Sequence, residues 1–195
     1  MGYKKEIEKL NKCLHDYCHQ LYIKLQPPLT PLEIERNFKD LGIDDENLLD
    51  IFLWKNGIPY DINLPTHSYD FTGFGVIPPL RYIAEIIKIE ITDQSWRNSL
   101  FPLVVSYGGD FLLYETNKRD GNYGKLFLYS PNLGYVDYQI SYFDSIGTMI
   151  ETIVNSFEKK ILVYDNETMS LDITDYSLRS EISKKLNPKS EYWRI

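Results

Sequence analysis

The sequence predicts an α+β fold: an antiparallel sheet wrapped by helices, with a C-terminal appendage. Two observations predict it. First, Phe101 to Tyr129 holds three runs of aliphatic and aromatic residues, divided by Gly108-Gly109-Asp110 and by a polar loop that ends at Gly124. Glycine reaches the positive φ of a tight hairpin and aspartate tolerates turn geometry, so these runs read as a meander. Second, the segment ahead of the meander spaces its apolar residues by three and four, the period of a helix. Helices before an antiparallel sheet, with one more helix after it, are the order of an α+β domain.

Each element has its own local signal. Residues 3–25 place Ile7, Leu10, Leu14, Tyr17, Cys18, Leu21 and Leu25 on one helical stripe, which Gln26-Pro27-Pro28 stops. Thr30-Pro31-Leu32-Glu33 starts a second helix: Thr caps, Pro fits the first turn and Glu stands at the capping-box position. That helix ends near Leu41-Gly42. Asp44 is the expected cap of a third, running through Leu48, Leu49, Ile51, Phe52 and Trp54 to a stop at Asn56-Gly57. Ile58 to Thr72 reads as a polar loop, and Phe74 to Ile77 as a short strand. Leu80, Ile83, Ile86 and Ile87 predict a fourth helix to about Glu90. Strands are expected at 103–107, 111–115, 125–129 and 134–140. A final helix starts at Asp144 or Ser145 and runs through Phe157, and 161–164 reads as one more short strand. From there the composition shifts to hydroxyl and acidic residues with spaced Leu and Ile. The expected division is a domain at 1–164 and a weakly packed appendage at 165–195.

A chain of 195 residues fits one domain. Its 43% hydrophobic content is enough to build a core. No stretch approaches 18 uncharged apolar residues, so no membrane span is expected. The charged start, Met-Gly-Tyr-Lys-Lys-Glu-Ile-Glu, lacks the apolar core of a signal peptide. Gly2 invites a myristoylation reading, but Glu6 stands at the favoured Ser/Thr position. Cys13 and Cys18 would point about 140° apart on a helix, which disfavours a disulfide between them. A reducing cytoplasm fits that usage best.

The net charge of −7 is unevenly placed. Residues 1–25 carry an excess of lysine over acid, whereas 26–164 carry eleven Lys and Arg against nineteen acids. An acidic body disfavours direct nucleic-acid binding, which needs clustered Lys and Arg, and favours a basic protein partner. Net charge of this size also keeps a protein soluble.

Candidate chemical sites are sparse. Cys13, His15, Cys18 and His19 form the one metal-like cluster, and a metal-dependent enzyme would have to use it. His15 and His19 share a helix face, but the four side chains spread around the helix, and Cys18 belongs to the apolar stripe. No metal or other cofactor is expected. No Gly-x-Ser-x-Gly elbow and no Gly-x-x-x-x-Gly-Lys phosphate loop occurs, and Gly73-Phe-Gly75 is too short for a dinucleotide fingerprint. No catalytic residue is assigned. Asp40, Asp44, Asp45, Glu46 and Asp50 concentrate acid where helix-start chemistry explains only 44–46, which leaves room for a partner-facing patch. Tyrosines crowd the strands, and tyrosine suits both sheet packing and interfaces.

Three segments, in order, carry a family resemblance. They are Leu48-Leu-Asp-Ile-Phe-Leu-Trp-Lys-Asn-Gly57, Phe74-Gly-Val-Ile-Pro-Pro-Leu80 and Phe101-Pro-Leu-Val-Val-Ser-Tyr-Gly-Gly-Asp110. Over about residues 30–160 the chain resembles the SUKH superfamily, which groups bacterial immunity proteins with fungal Smi/Knr cell-wall regulators. It departs from the family in lacking the Leu-Pro before the third helix, where Gly42-Ile-Asp-Asp45 stands, and in its extra tail. The resemblance implies a helix-wrapped antiparallel sheet, no catalysis, and binding of a cognate toxin, often a basic nuclease. The alternative it implies is a regulatory scaffold for signalling proteins. The expected partner-binding residues are Asp45, Tyr107, Asp110, Tyr114 and Glu115, with Asp110 projecting outward from its turn.

Overall fold

The computed structural model describes residues 2–59, 70–92, 99–106, 108–130, 133 and 140–194, without the side chains of 89–92. Helices α1 (Lys4–Tyr17), α2 (His19–Tyr22), α3 (Pro31–Leu41), α4 (Glu46–Trp54) and α5 (Leu80–Thr92) lead into a meander of β1 (Leu100–Val105), β2 (Phe111–Glu115), β3 (Leu126–Tyr129) and β4 (Ser141–Phe143). Helix α6 (Ile146–Glu158), the hairpin of β5 (Leu162–Asp165) and β6 (Ser170–Ile173), helix α7 (Tyr176–Leu186) and a 3-10 turn at Tyr192–Arg194 follow. The main sheet runs β1-β2-β3-β4 with each neighbouring pair antiparallel. This is the α+β class read from the sequence.

Helix boundaries follow cap chemistry. Thr30 and Glu33 form the capping box of α3: Glu33 N–H donates to Thr30 Oγ1 (3.3 Å) and Thr30 N–H to Glu33 Oε2 (2.8 Å). Asp45, one residue beyond the expected Asp44, caps α4; its Oδ1 accepts from Asn47 N (2.8 Å) and Leu48 N (3.3 Å). Ser145 caps α6. The stripe over 3–25 breaks at Cys18, whose φ of −128° leaves the helical region and separates α1 from α2. Of the strand expected at 134–140, residues 134–139 lie outside the described residues; β4 stands at Ser141–Phe143. The strand expected at 74–77 reduces to one bridge, with Val76 and Val105 exchanging N–H···O bonds of 2.9 Å.

The sheet lies inside the protein. Every residue of β1, β3 and β4 is buried, and in β2 only Phe111 is half-buried. Strands this apolar, without polar alternation, are those covered on both faces. Phe38 of α3, Phe52 of α4 and Phe101 of β1 meet edge to face at 6.2–6.5 Å, which seats both helices on the sheet. An exposed, tyrosine-rich sheet face, which the sequence made plausible, is therefore absent among the described residues. Tyr114, Tyr129 and Tyr142 are core residues.

The three segments that carry the family resemblance touch one another. Gly57 holds φ +68°, and a Cβ there would stand 2.3 Å from Ile77 O. Ile58 N–H donates to Ile77 O (2.9 Å), and Asn56 Oδ1 accepts from Leu80 N at the start of α5 (3.0 Å). Gly75 then lets the backbone close on Val105.

The C-terminal segment is packed more firmly than an appendage. A boundary at 164 would cut the β5–β6 hairpin, where Leu162 pairs with Ile173. Arg179 is buried and donates to Gly73 O (2.9 Å). Along the outer edge of β4, Ser190 Oγ donates to Ser141 O (2.8 Å) and Tyr142 O (3.0 Å), and Trp193 Nε1 donates to Tyr142 O (2.8 Å). An open strand edge is a template for unwanted pairing, and these side chains occupy it.

Candidate partner-binding site

The described residues among the five that the sequence proposed do not form an exposed partner surface. Tyr107 lies outside the described residues. Tyr114 and Glu115 are fully buried, and Asp45 is 3% exposed. Asp110 does not project outward: it is half-buried, accepts from Ser130 Oγ (2.6 Å) and Ser106 Oγ (3.3 Å), and so ties the ends of β1 and β3 to its own turn. Tyr114 and Glu115 stand on β2, which is covered on both faces, so their polar groups must find partners inside, while Asp45 turns inward as the N-cap of α4 and Asp110 is held by its own turn.

Asp45 and Tyr114 meet in one network. Tyr114 Oη donates to Asp45 Oδ2 (3.2 Å) and accepts from Asn47 Nδ2 (3.1 Å), which also donates to Tyr123 Oη (3.2 Å). Burial, then the Asp45 carboxylate, pushes the Tyr114 phenol far above its usual range and that of Tyr123 up to about 12. These tyrosines stay protonated and act as donors and acceptors that fix the start of α4 on the sheet. Asp50, also buried, accepts from Tyr3 N (2.8 Å) and holds the start of α1 against α4.

Asp40, Asp44 and Glu46 face solvent, and Asp44 and Glu46 rim a groove between α3 and α4. The groove has a volume of about 500 Å³. Phe38, Ile43, Leu49 and Pro31 supply apolar lining, and Glu35, Asp44 and Glu46 supply charge, with Lys39 as the one basic lining residue. Lys118, from the turn after β2, reaches across and pairs its Nζ with Asp44 Oδ2 at 2.9 Å. That contact raises the lysine's pKa, first through the hydrogen bond itself and then through the charges of Asp44, Asp45 and Glu46. A second hollow of about 880 Å³ shares Glu46 and Leu49 with the groove and carries Lys4, Lys5, Glu6 and Asp50. Sequence reasoning singled out Asp44, Asp45 and Glu46 but not Glu35 or the groove, whose floor draws on two helices and the loop between them.

The metal-like cluster does not converge. Cys13 and Cys18 are free and buried, and burial pushes the Cys13 thiol up to about 12, a state of low reactivity. His15 and His19 are exposed and stack edge to face at 5.7 Å. Among the described residues no group of three or more His, Cys, Asp or Glu side chains is placed to hold a metal. No helix among the described residues is long and apolar enough to cross a membrane. Fold and groove together define an α+β protein with an acid-rimmed helical groove on a buried meander. No protein-family model matches the chain, and a search of curated proteins found no match.

Proposed function

We propose that this protein is a non-catalytic immunity protein of the SUKH type, which neutralises a basic toxin, a nuclease domain, by protein–protein binding in the cytoplasm. The observation that carries the reading is the α3–α4 groove: an apolar floor under an acidic rim, on a chain with a net charge of −7. Such a surface repels phosphate and attracts a cationic protein. Mutual contact of the three motif-bearing segments supports the same reading, since their order and spacing then have a structural cause. The test is protection. The product of the adjacent gene is expressed alone and together with this protein, and the pair is purified as a complex. Growth arrest relieved by co-expression, with a complex of fixed stoichiometry, is the expected result. An adjacent product that is harmless, or one whose toxicity this protein leaves unchanged, overturns the proposal.

A further inference from the structure

We infer that the α3–α4 groove receives a basic amphipathic segment of the partner, an apolar side chain flanked by Lys or Arg, and that Lys118 occupies the cationic seat until that segment displaces it. The identity of the partner as a toxin rests on the reading above; the groove's preference for such a segment does not. Three observations carry the inference. The floor of Phe38, Ile43 and Leu49 accepts an apolar anchor, and Glu35, Asp44 and Glu46 stand around it to receive cations. The second hollow shares Glu46 and Leu49 with the groove and adds Glu6 and Asp50 beside Lys4 and Lys5, so carboxylates continue from α4 toward the start of α1. Finally, an internal cation already sits at the rim. The Lys118–Asp44 pair is solvent-facing, with side chains 49% and 93% exposed. Exposed pairs are weak, so an incoming Arg or Lys exchanges for Lys118 at small cost.

The experiment titrates the full-length chain with a fluorescein-labelled synthetic helix of leucines on one face and lysines on the other, read by anisotropy at several salt concentrations. The same helix with glutamate for lysine is the control ligand. Glu35→Lys with Glu46→Lys should weaken binding of the lysine helix at low salt at least tenfold and flatten its salt dependence. Glu35→Lys alone, at an exposed position of α3, keeps the comparison if the double variant disturbs the start of α4. Glu167→Lys with Asp172→Lys, on the β5–β6 hairpin, makes the same charge change away from the groove and should have a much smaller effect. Lys118→Met should tighten binding about twofold to fivefold, the range expected for release of an exposed pair. Arg119→Met removes the same charge one residue along and should do less.

Equal losses in the groove and hairpin variants overturn the inference, because the charge of the whole body would then be the cause. Equal effects of Lys118→Met and Arg119→Met overturn the placeholder role of Lys118. A dimer in sedimentation that the groove variants dissolve makes a second copy the occupant, and also overturns it. The function is judged separately: if the groove binds the lysine helix but the protein fails to protect against the adjacent gene's product, the immunity reading falls and the groove assignment stands.

Discussion

The hydrogen bond from Tyr114 to Asp45 is the contact through which the sheet fixes the edge of the groove, and a double-mutant cycle measures it. Tyr114 is fully buried and Asp45 nearly so. Tyr114→Phe removes one donor to a buried carboxylate that keeps two backbone N–H partners. A hydrogen bond to a charged group is worth about 1.5–3 kcal/mol, so the variant should lose about 2 kcal/mol. Asp45→Ala removes a helix cap, at about 1 kcal/mol, and should leave the Tyr114 hydroxyl short of an acceptor, at about 1–3 kcal/mol more. Its expected cost is therefore about 3 kcal/mol. In the double variant the stranded hydroxyl is gone. The two losses should then fall short of additivity by about 1–2 kcal/mol. Urea unfolding followed by tryptophan fluorescence supplies all four stabilities. Additivity to within about 0.5 kcal/mol, the spread of non-interacting sites, would refute the proposed coupling.

Three further perturbations probe how the C-terminal segment and its neighbours are held. Asp70 has its carboxyl pushed up to about 6, first by burial, against the pull of Thr72 N–H, Arg179 and Gly73 N–H. A raised folded-state pKa favours the protonated form, so this group's contribution is fully present below its unfolded value and is lost as pH rises through about 6. The stability difference between Asp70→Asn and wild type should therefore shift toward the variant between pH 4.5 and 7; a pH-independent difference contradicts the assignment. At Gly73 (φ +71°) a Cβ would stand 2.5 Å from Arg179 Nη2, whereas at Gly109 (φ +82°) it meets open space. Gly109→Ala should cost about 1–2 kcal/mol for the left-handed backbone alone. Gly73→Ala should cost clearly more, and equal urea midpoints would show that Arg179 does not pack there. Trp193→Ala should lose about 2 kcal/mol, part of the 3–5 kcal/mol typical of a fully buried Trp, because the ring is half-buried against Tyr142 and Arg179. A loss below about 0.5 kcal/mol would return residues 165–195 to the status of a loose tail.

Local chemistry was legible where it was self-contained. Thr30-Pro31-Leu32-Glu33 gave a helix start because its cap closes within four residues, and Gly108-Gly109-Asp110 gave a turn for the same reason. Whether the sheet is covered could not be read so directly, although Leu-Phe-Leu-Tyr at 126–129 already lacks the alternation of a half-exposed strand. Giving that run its full weight would have moved Tyr114 and Glu115 inside. The fate of Asp110 depended on Ser130, twenty residues on, and that of Arg179 on Gly73, 106 residues back. Pairings at that separation leave no periodic trace in a single sequence. Nor does a groove, whose floor is assembled from two helices and the loop between them.

The acid run at 44–46 shows why the groove and the fold are built from the same few residues. Neighbouring residues in an extended N-cap segment point to opposite sides, so Asp45 turns inward and Asp44 outward. β2 and the turn after it grip both. Tyr114 holds Asp45 in the dry interior, where a lost partner is expensive, and Lys118 holds Asp44 in water, where it is cheap. The inner contact fixes where the rim stands, and the outer one is exchangeable for a partner's cation. A site whose position is set before binding loses less freedom when it is filled, which raises affinity without added contacts. It follows that Tyr114→Phe should act mainly on stability and Lys118→Met mainly on binding.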